Sequence, residues 1–212
     1  MASVTMDFST HCWKNILVSG LVALASLFGV FARPAHANTR VELAELRVER
    51  ADDGLYLSAR MRFDLPAAAE DALYKGIPVH FVAEADVMRE RWYWYDQEMA
   101  SVQRHMRVAY QPLTRRWRLN TSSEPIVSSG LGVTLAQHYD SLDEVMAAVQ
   151  RISRWRVATA AQLDAGGRQT VRFRFRIDAT QLPRAFQIGA LGESDWALAT
   201  ERRVDLTQES GR

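Results

Sequence analysis

Alternating apolar and polar residues are the most regular feature of this chain, and they predict β-strands. The segments 55–65 and 169–178 alternate over almost their whole length. The polar positions of the first carry Arg60, Arg62 and Asp64, and those of the second carry a row of arginines. A period of two residues places apolar side chains on one face of a strand and polar side chains on the other, so both segments are predicted to be half-buried strands.

Weaker alternation predicts further strands and the turns between them. The further predicted strands are 41–49, 77–88, 92–95, 102–110, 115–119, 155–159, 185–191 and 196–200. Asp52-Asp53-Gly54 predicts a hairpin turn, because aspartate and glycine favour the backbone angles of tight turns. The polar segment 120–129 predicts a loop.

Two short α-helices interrupt the predicted strands. The segment 67–75 is rich in alanine and precedes Gly76, a typical residue just beyond a helix C-terminus. Ser141 and Glu144 have the spacing of a capping box, and apolar residues at helical spacing continue to about Arg151. These elements predict a mainly β fold. We expect an antiparallel β-sandwich, immunoglobulin-like in general architecture, with the two short α-helices covering an edge or an end.

The first 37 residues predict an export signal. The segment 16–32 carries no charge over 17 residues, and Ala35-His36-Ala37 then forms a small-residue cleavage pattern. Such features are typical of a secretory signal peptide, here removed after Ala37. The alternative is a retained N-terminal membrane anchor, since 17 apolar residues come close to the length that spans a bilayer. In both cases 38–207 is predicted to be a single β-rich periplasmic domain, with 208–212 as a flexible tail.

The composition suits a folded globular domain and excludes several functions. Of the 212 residues 48% are hydrophobic and 24% are charged, which argues against disorder. The 26 basic and 25 acidic residues nearly balance, so the chain lacks the positive charge of a typical nucleic-acid-binding protein. Cys12 is the only cysteine and precedes the cleavage point, so the exported domain is expected to lack disulfides, thiol chemistry and Cys-ligated metal.

No motif for catalysis or cofactor binding is present. The chain has no G-x-S-x-G elbow, no phosphate-binding loop and no dinucleotide fingerprint. Beyond the signal segment the histidines are His80, His105 and His138, and none has the spacing of a metal site. We therefore predict no catalytic residues, no cofactor and no metal. Two carboxylates that meet in space would still suffice for a hydrolase.

The most unusual segment is the aromatic run, which consists of Trp92, Tyr93, Trp94 and Tyr95. On a strand, the two tryptophans share one face and the two tyrosines share the other. One interpretation is that one pair fills the core while the other packs across strands. The other is an aromatic platform for a sugar, a peptide or a partner protein, because Trp and Tyr are frequent at interface hot spots.

The arginine row, which consists of Arg172, Arg174 and Arg176, is the second candidate surface. Same-face residues of a strand lie about 7 Å apart, so three guanidiniums in line require acids or anions between them. One interpretation is a solvated face on which Glu or Asp of neighbouring strands pair with the row. The other is a docking face for phosphate or carboxylate groups, which Arg60 and Arg62 would extend if their strand lay alongside.

Short segments spread along the chain, taken in order, resemble one protein family. They are 72–81, 91–96, 110–115, 139–144, 182–183 and 195–196. The family is domain of unknown function 4390, an uncharacterised family of exported proteobacterial proteins, and the resemblance covers most of 40–206. Gln111-Pro112 and Arg116-Trp117 depart from its pattern, which affects the details of that turn. The resemblance implies export to the periplasm and, through gene neighbourhood, a link with membrane sensor histidine kinases. It implies no catalytic or binding residues.

Together these features predict a non-enzymatic periplasmic interaction domain. Its expected partner is an envelope or inner-membrane protein, with the outward-facing part of a sensor histidine kinase as the leading candidate, and not a nucleic acid. The candidate surface consists of the aromatic run and the arginine row, and membrane contact is expected only through an uncleaved N-terminal segment. The alternative is a binding module for an anionic or glycan-like envelope ligand. A third, less favoured function is an envelope hydrolase.

Overall fold

Strands dominate the described part of the chain, as the alternation predicts. The structure is a computed structural model that describes residues 41–90, 96–126, 135–163, 168–183 and 196–206. Its strands are β1 Glu42–Ala51, β2 Gly54–Arg62, β3 Val79–Arg89, β4 Gln97–Gln111, β5 Arg116–Ser122, β6 Leu135–Tyr139, β7 Arg151–Thr159, β8 Gln169–Ile177 and β9 Ala199–Asp205. Its α-helices are α1 Ala67–Tyr74 and α2 Leu142–Val149.

The strands form two antiparallel sheets. One sheet has three strands in the order β1-β2-β7, and the other has six in the order β6-β5-β4-β3-β8-β9. Residues of both sheets and of both helices contribute to one hydrophobic core. The predicted fold class, a mainly β antiparallel sandwich with two short helices, is therefore confirmed for the described residues.

The core consists of the apolar faces that the alternation predicts. Leu55, Leu57 and the other inward residues of β2 are at most 3% exposed. Phe81 of β3 and Phe175 of β8 are fully buried, and their rings stack with centroids 5.9 Å apart. Burial of such a side chain contributes about 1.5–3 kcal/mol, so these facing rows hold the two sheets together.

Local signals set the helix ends. The Ser141 hydroxyl accepts a hydrogen bond from the Glu144 N–H at 3.2 Å, as the predicted cap requires. The Glu144 carboxylate accepts from the Asp140 N–H instead of the Ser141 N–H. Helix α2 ends at Val149, before the predicted end near Arg151, because Arg151 already pairs within the three-stranded sheet.

Six strands differ from the predicted pattern. Strand β2 ends at Arg62 instead of 65, and β4 starts at Gln97 instead of 102. Strand β5 runs on to Ser122, into the predicted loop, because its last residues stay paired with β4. Strand β6 is not predicted, because four of its five residues are exposed and it has no apolar face. Strand β7 starts before Trp155, and a register shift beside Arg154, whose φ is +43°, interrupts its alternation. Strand β9 lies at Ala199–Asp205 instead of 196–200.

Several predictions fall on residues outside the described part of the chain. They are the signal peptide 1–37, the strands 92–95 and 185–191, and the tail 208–212. The strand 92–95 is the aromatic run itself. None of the described helices is long and apolar enough to cross a membrane.

Candidate functional site

The six-stranded sheet has a second face directed away from the core, which we call the outer face. Every second residue of β3 lies on it, namely His80, Val82, Glu84 and Asp86. All four are at most 8% exposed, although three of them are polar or charged. Buried charges need partners, so the outer face of β3 must have a structural or a binding role.

The acids of β3 pair with the arginines of β8. We call this group the ion-pair ladder, and it consists of Glu84, Asp86 and the arginine row. The backbone register places Glu84 opposite Arg174 and Asp86 opposite Arg172. The Asp86 carboxylate lies 3.0 Å from Arg172 Nη2 and 3.1 Å from Arg174 Nη2. The Glu84 carboxylate lies 2.9 Å from Arg174 Nη2 and 3.1 Å from Arg176 Nη2. Each carboxylate therefore bridges two guanidiniums.

The ladder pairs the arginine row with buried acids. The carboxylate side chains are only 3% and 9% exposed, whereas the arginine side chains are 26–45% exposed. The row thus covers two buried acids on the neighbouring strand, as the first of its two interpretations states. Arg60 and Arg62 do not extend it, because their strand β2 belongs to the other sheet.

Beside the ladder lies a second group, the basic cluster, which consists of His80, His105, Arg107 and Arg118. His80 on β3 lies directly opposite Arg107 on β4, and Arg107 lies opposite Asn120 on β5. Arg118 precedes Asn120 by two residues and so shares its face. Within the described residues, neither Arg107 nor Arg118 forms an ion pair with a carboxylate.

Burial controls the charge of the histidines in the basic cluster. Burial and then the positive charge of Arg107 lower the pKa of His80 to about 4, although Asp178 opposes the shift. Burial also lowers the pKa of His105. His80 is therefore neutral at pH 7. Its Nδ1 atom and the Nε atom of Arg118 are buried without a hydrogen-bond partner among the described residues.

The two sheets also leave a cleft between their edges, which we call the edge cleft. Its volume is about 520 Å³, and it lies between β1 and β9. Its lining residues are Leu43, Ala44, Leu46, Glu90, Asp96, Thr170, Arg202, Arg203, Val204 and Asp205. Among the described strands, β1 pairs only with β2 and β9 only with β8. Each therefore keeps one side of its backbone without a strand partner.

The described residues on either side of the aromatic run in the sequence line the edge cleft. Trp92–Tyr95 itself lies outside the described residues. Glu90 and Asp96, which precede and follow the undescribed segment 91–95, both line the cleft. The arginine row therefore lies on the outer face, whereas the aromatic run has no described position and only its nearest described neighbours, Glu90 and Asp96, line the cleft.

Sequence reasoning missed the acids of the ladder and the basic cluster. A signal for the ladder exists, because Glu84 and Asp86 alternate with the same period as the arginine row on another predicted strand. Matching periods of opposite charge predict that two strands pair. For the basic cluster no such signal exists, because its members come from three strands. In the described part of the chain no three residues of the types His, Cys, Asp and Glu are grouped to hold a metal ion.

Comparison with known proteins identifies a family and leaves the function open. The sequence model of DUF4390, a domain of unknown function, matches residues 38–205. Neither a curated protein nor a solved structure matches the chain. What the domain does must therefore be inferred from its geometry.

Proposed function

The chain belongs to the family named domain of unknown function 4390, and we propose that it is a non-enzymatic interaction domain whose edge cleft receives an extended segment of a partner protein. The observation that carries this proposal is the cleft between two edge strands. An extended segment that enters it gains backbone hydrogen bonds from β1 or β9, as in other cases of strand addition. A volume of about 520 Å³ is within the range of sites that hold small ligands and peptide side chains.

The lining of the edge cleft suits a peptide of mixed character. Leu43, Leu46 and Val204 are half-buried and offer apolar contact. Charges of both signs accompany them, the cations being Arg202 and Arg203 and the acids Glu90, Asp96 and Asp205. A central apolar contact with a charged rim is the usual composition of a protein interface. The aromatic run, which lies between Glu90 and Asp96 in the sequence, is proposed to supply the anchoring side chains.

The partner is proposed to be an envelope protein. The support is the sequence of the first 37 residues, whose uncharged segment and small-residue pattern are typical of an export signal. The outward-facing part of a membrane sensor histidine kinase remains the leading candidate, because the family resemblance implies that link. The arginine row does not support the alternative of an anion-docking surface at that position, since Glu84 and Asp86 already pair with all three arginines and Asp178 lies 3.7 Å from Arg176 Nη1.

In-cell crosslinking of the tagged full-length protein tests the proposal when the cleft is altered. Ala44 is exposed in the cleft at a register shift of β1, so Ala44→Glu should block an incoming strand without unfolding the domain. Ala136→Glu is the matched control, because Ala136 is exposed on β6, the edge strand of the six-stranded sheet that lies far from β9 in the strand order. We expect one envelope protein to be captured by the parent and the control and about tenfold less by Ala44→Glu.

Two results would contradict the proposal. Equal capture by Ala44→Glu and Ala136→Glu would show that the partner binds elsewhere. Efficient crosslinking that enriches no envelope protein would contradict the existence of an envelope partner. The variants Trp92→Ala and Trp94→Ala then test the aromatic run, since loss of folding in both would mean that these side chains belong to the core.

A further inference from the structure

The basic cluster has the properties of an anion site, and they are independent of the edge cleft. Its charged members Arg107 and Arg118 are half-buried on adjacent strands. Burial and then the positive charge of Arg118 lower the pKa of Arg107. Two like charges brought together in a partly buried place are costly unless a third, negative group lies between them.

The neighbouring carboxylates are already engaged. Glu84 accepts hydrogen bonds within the ladder, and Asp178 accepts from the Thr180 N–H and hydroxyl at 3.2 and 2.6 Å. Asp178 also lies 3.7 Å from Arg176 Nη1. These acids act on the histidines of the cluster. Within the described residues no carboxylate pairs with Arg107 or Arg118.

Unsatisfied buried atoms point to the same place. His80 is 8% exposed, and its Nδ1 atom has no hydrogen-bond partner in the described part of the chain. The Nε–H of Arg118 is buried and lacks an acceptor there as well. Buried donors are nearly always satisfied in folded proteins, so the Arg118 guanidinium is suited to bind a further acceptor.

We propose that the basic cluster binds a small phosphate-type anion, held by the guanidinium groups of Arg107 and Arg118 with neutral His80 as an additional hydrogen-bond donor. Guanidinium forks match the oxygen geometry of phosphate, and charge-assisted hydrogen bonds of this kind are strong. The phosphate group has two sources in a cell envelope, free phosphate and the headgroup of an anionic lipid. The chemistry of recognition is the same for both.

Isothermal titration calorimetry on the purified full-length protein tests this site, with inorganic phosphate as the probe. We expect saturable binding with a Kd of about 1 mM or tighter. Arg107→Gln and Arg118→Gln should each weaken it about tenfold, which is the loss expected for one charge-assisted pair. Arg116→Gln is the matched control. It also lies on β5, but its side chain is exposed and lies 3.2 Å from Asp140, so its removal should not change binding.

A second experiment distinguishes free phosphate from a lipid headgroup. Vesicles of phosphatidylglycerol are added to the same variants, and cosedimentation is measured. Binding of inorganic phosphate that depends on both arginines establishes a site for the free anion. Vesicle binding with the same dependence, without phosphate binding, assigns the site to a lipid headgroup. The absence of both, or binding that both arginine variants retain, would overturn the proposal.

The pKa of His80 provides a further test, because phosphate would not change it if Arg107 and Arg118 had only a structural role. An anion beside His80 favours its protonated form, so phosphate should raise the pKa of His80 from about 4. The groups that act on His80 are Arg107, Asp178 and His105, and the same three groups are present with and without phosphate. NMR titration of the ring with and without phosphate measures the shift. If Arg107→Gln unfolds the protein, Arg107→Lys keeps the charge, loses the fork and should show an intermediate shift.

Discussion

At the scale of single residues, Asp86 shows how a buried charge is maintained in this fold. Its side chain is 3% exposed and accepts from two guanidinium groups of β8. Removal of one partner from such a pair leaves the other charges uncompensated, which is the costly step. The ladder is therefore a stability element in which each member depends on the others.

Replacement of Asp86 should be far more harmful than replacement of a surface acid. We expect Asp86→Asn to lower the free energy of unfolding by roughly 2 kcal/mol, because Arg172 and Arg174 then lose their shared counter-charge. Glu45→Gln is the control, since the Glu45–Arg47 pair is 44% and 62% exposed and should contribute less than about 0.5 kcal/mol. Urea unfolding measures both, and equal effects would contradict the ladder's role.

His80 predicts a pH dependence of stability. Its pKa is lowered from 6.5 to about 4 in the folded protein, mainly by burial. Between these values the unfolded chain binds a proton that the folded protein does not, so stability falls as the pH falls through this window. The loss from this residue should be on the order of 3 kcal/mol and complete only below pH 4.

A comparison of His80→Gln with the parent isolates this contribution. Urea unfolding at pH 7 and at pH 4.5 gives the loss of stability for each protein. The parent should lose more than the variant, because glutamine does not titrate. An identical loss in both proteins would mean that His80 is not desolvated as the structure shows.

At the scale of elements, the pairing of β2 with β7 depends on a glycine at the start of β2. A Cβ atom at Gly54 would overlap the carbonyl oxygen of Ala158 on β7. We expect Gly54→Ala to cost about 2 kcal/mol or more, because the β2–β7 pairing must shift. Gly76→Ala is the comparison. Nothing lies within 4 Å of its Cβ position, so only its left-handed φ of +77° should cost about 1 kcal/mol. Thermal unfolding ranks the two, and the reverse order would contradict this account.

The elements that the sequence predicts are those with a buried face. Strands β2, β3 and β8 alternate because one side of each faces the core, and their predicted apolar faces are confirmed. Strand β6 could not be predicted, because its backbone pairs with β5 while its side chains stay largely exposed. Only part of the irregular strand β7 is predicted, because a residue at its register shift interrupts the alternation of apolar and polar side chains.

At the scale of the whole molecule, strand order decides which charges meet. Sequence patterns assign each strand two faces, but they do not say which strand is its neighbour. The order β5-β4-β3-β8 brings the arginine row against Glu84 and Asp86, and it brings Arg107 and Arg118 together without an acid. Such contacts between distant segments follow from packing of the entire core, so the candidate sites could be predicted only in part.

The edge cleft is the whole-molecule feature on which the proposed function rests. It exists because β1 and β9 end their respective sheets in the described structure, and neither strand alone contains it. Glu90 and Asp96, the nearest described neighbours of the aromatic run in the sequence, line it. A direct test must therefore report which residues of the folded domain touch the partner.

Site-specific photo-crosslinking in cells is that measurement. A photoreactive amino acid is placed at Ala44 or Arg202 in the edge cleft, and at Gln103 or Gln137 on exposed positions of the six-stranded sheet. We expect the two cleft positions to crosslink to one envelope protein and the other two positions not to. Crosslinks from the cleft to the chain's own segments, or capture of the partner only from Gln103 or Gln137, would contradict the account.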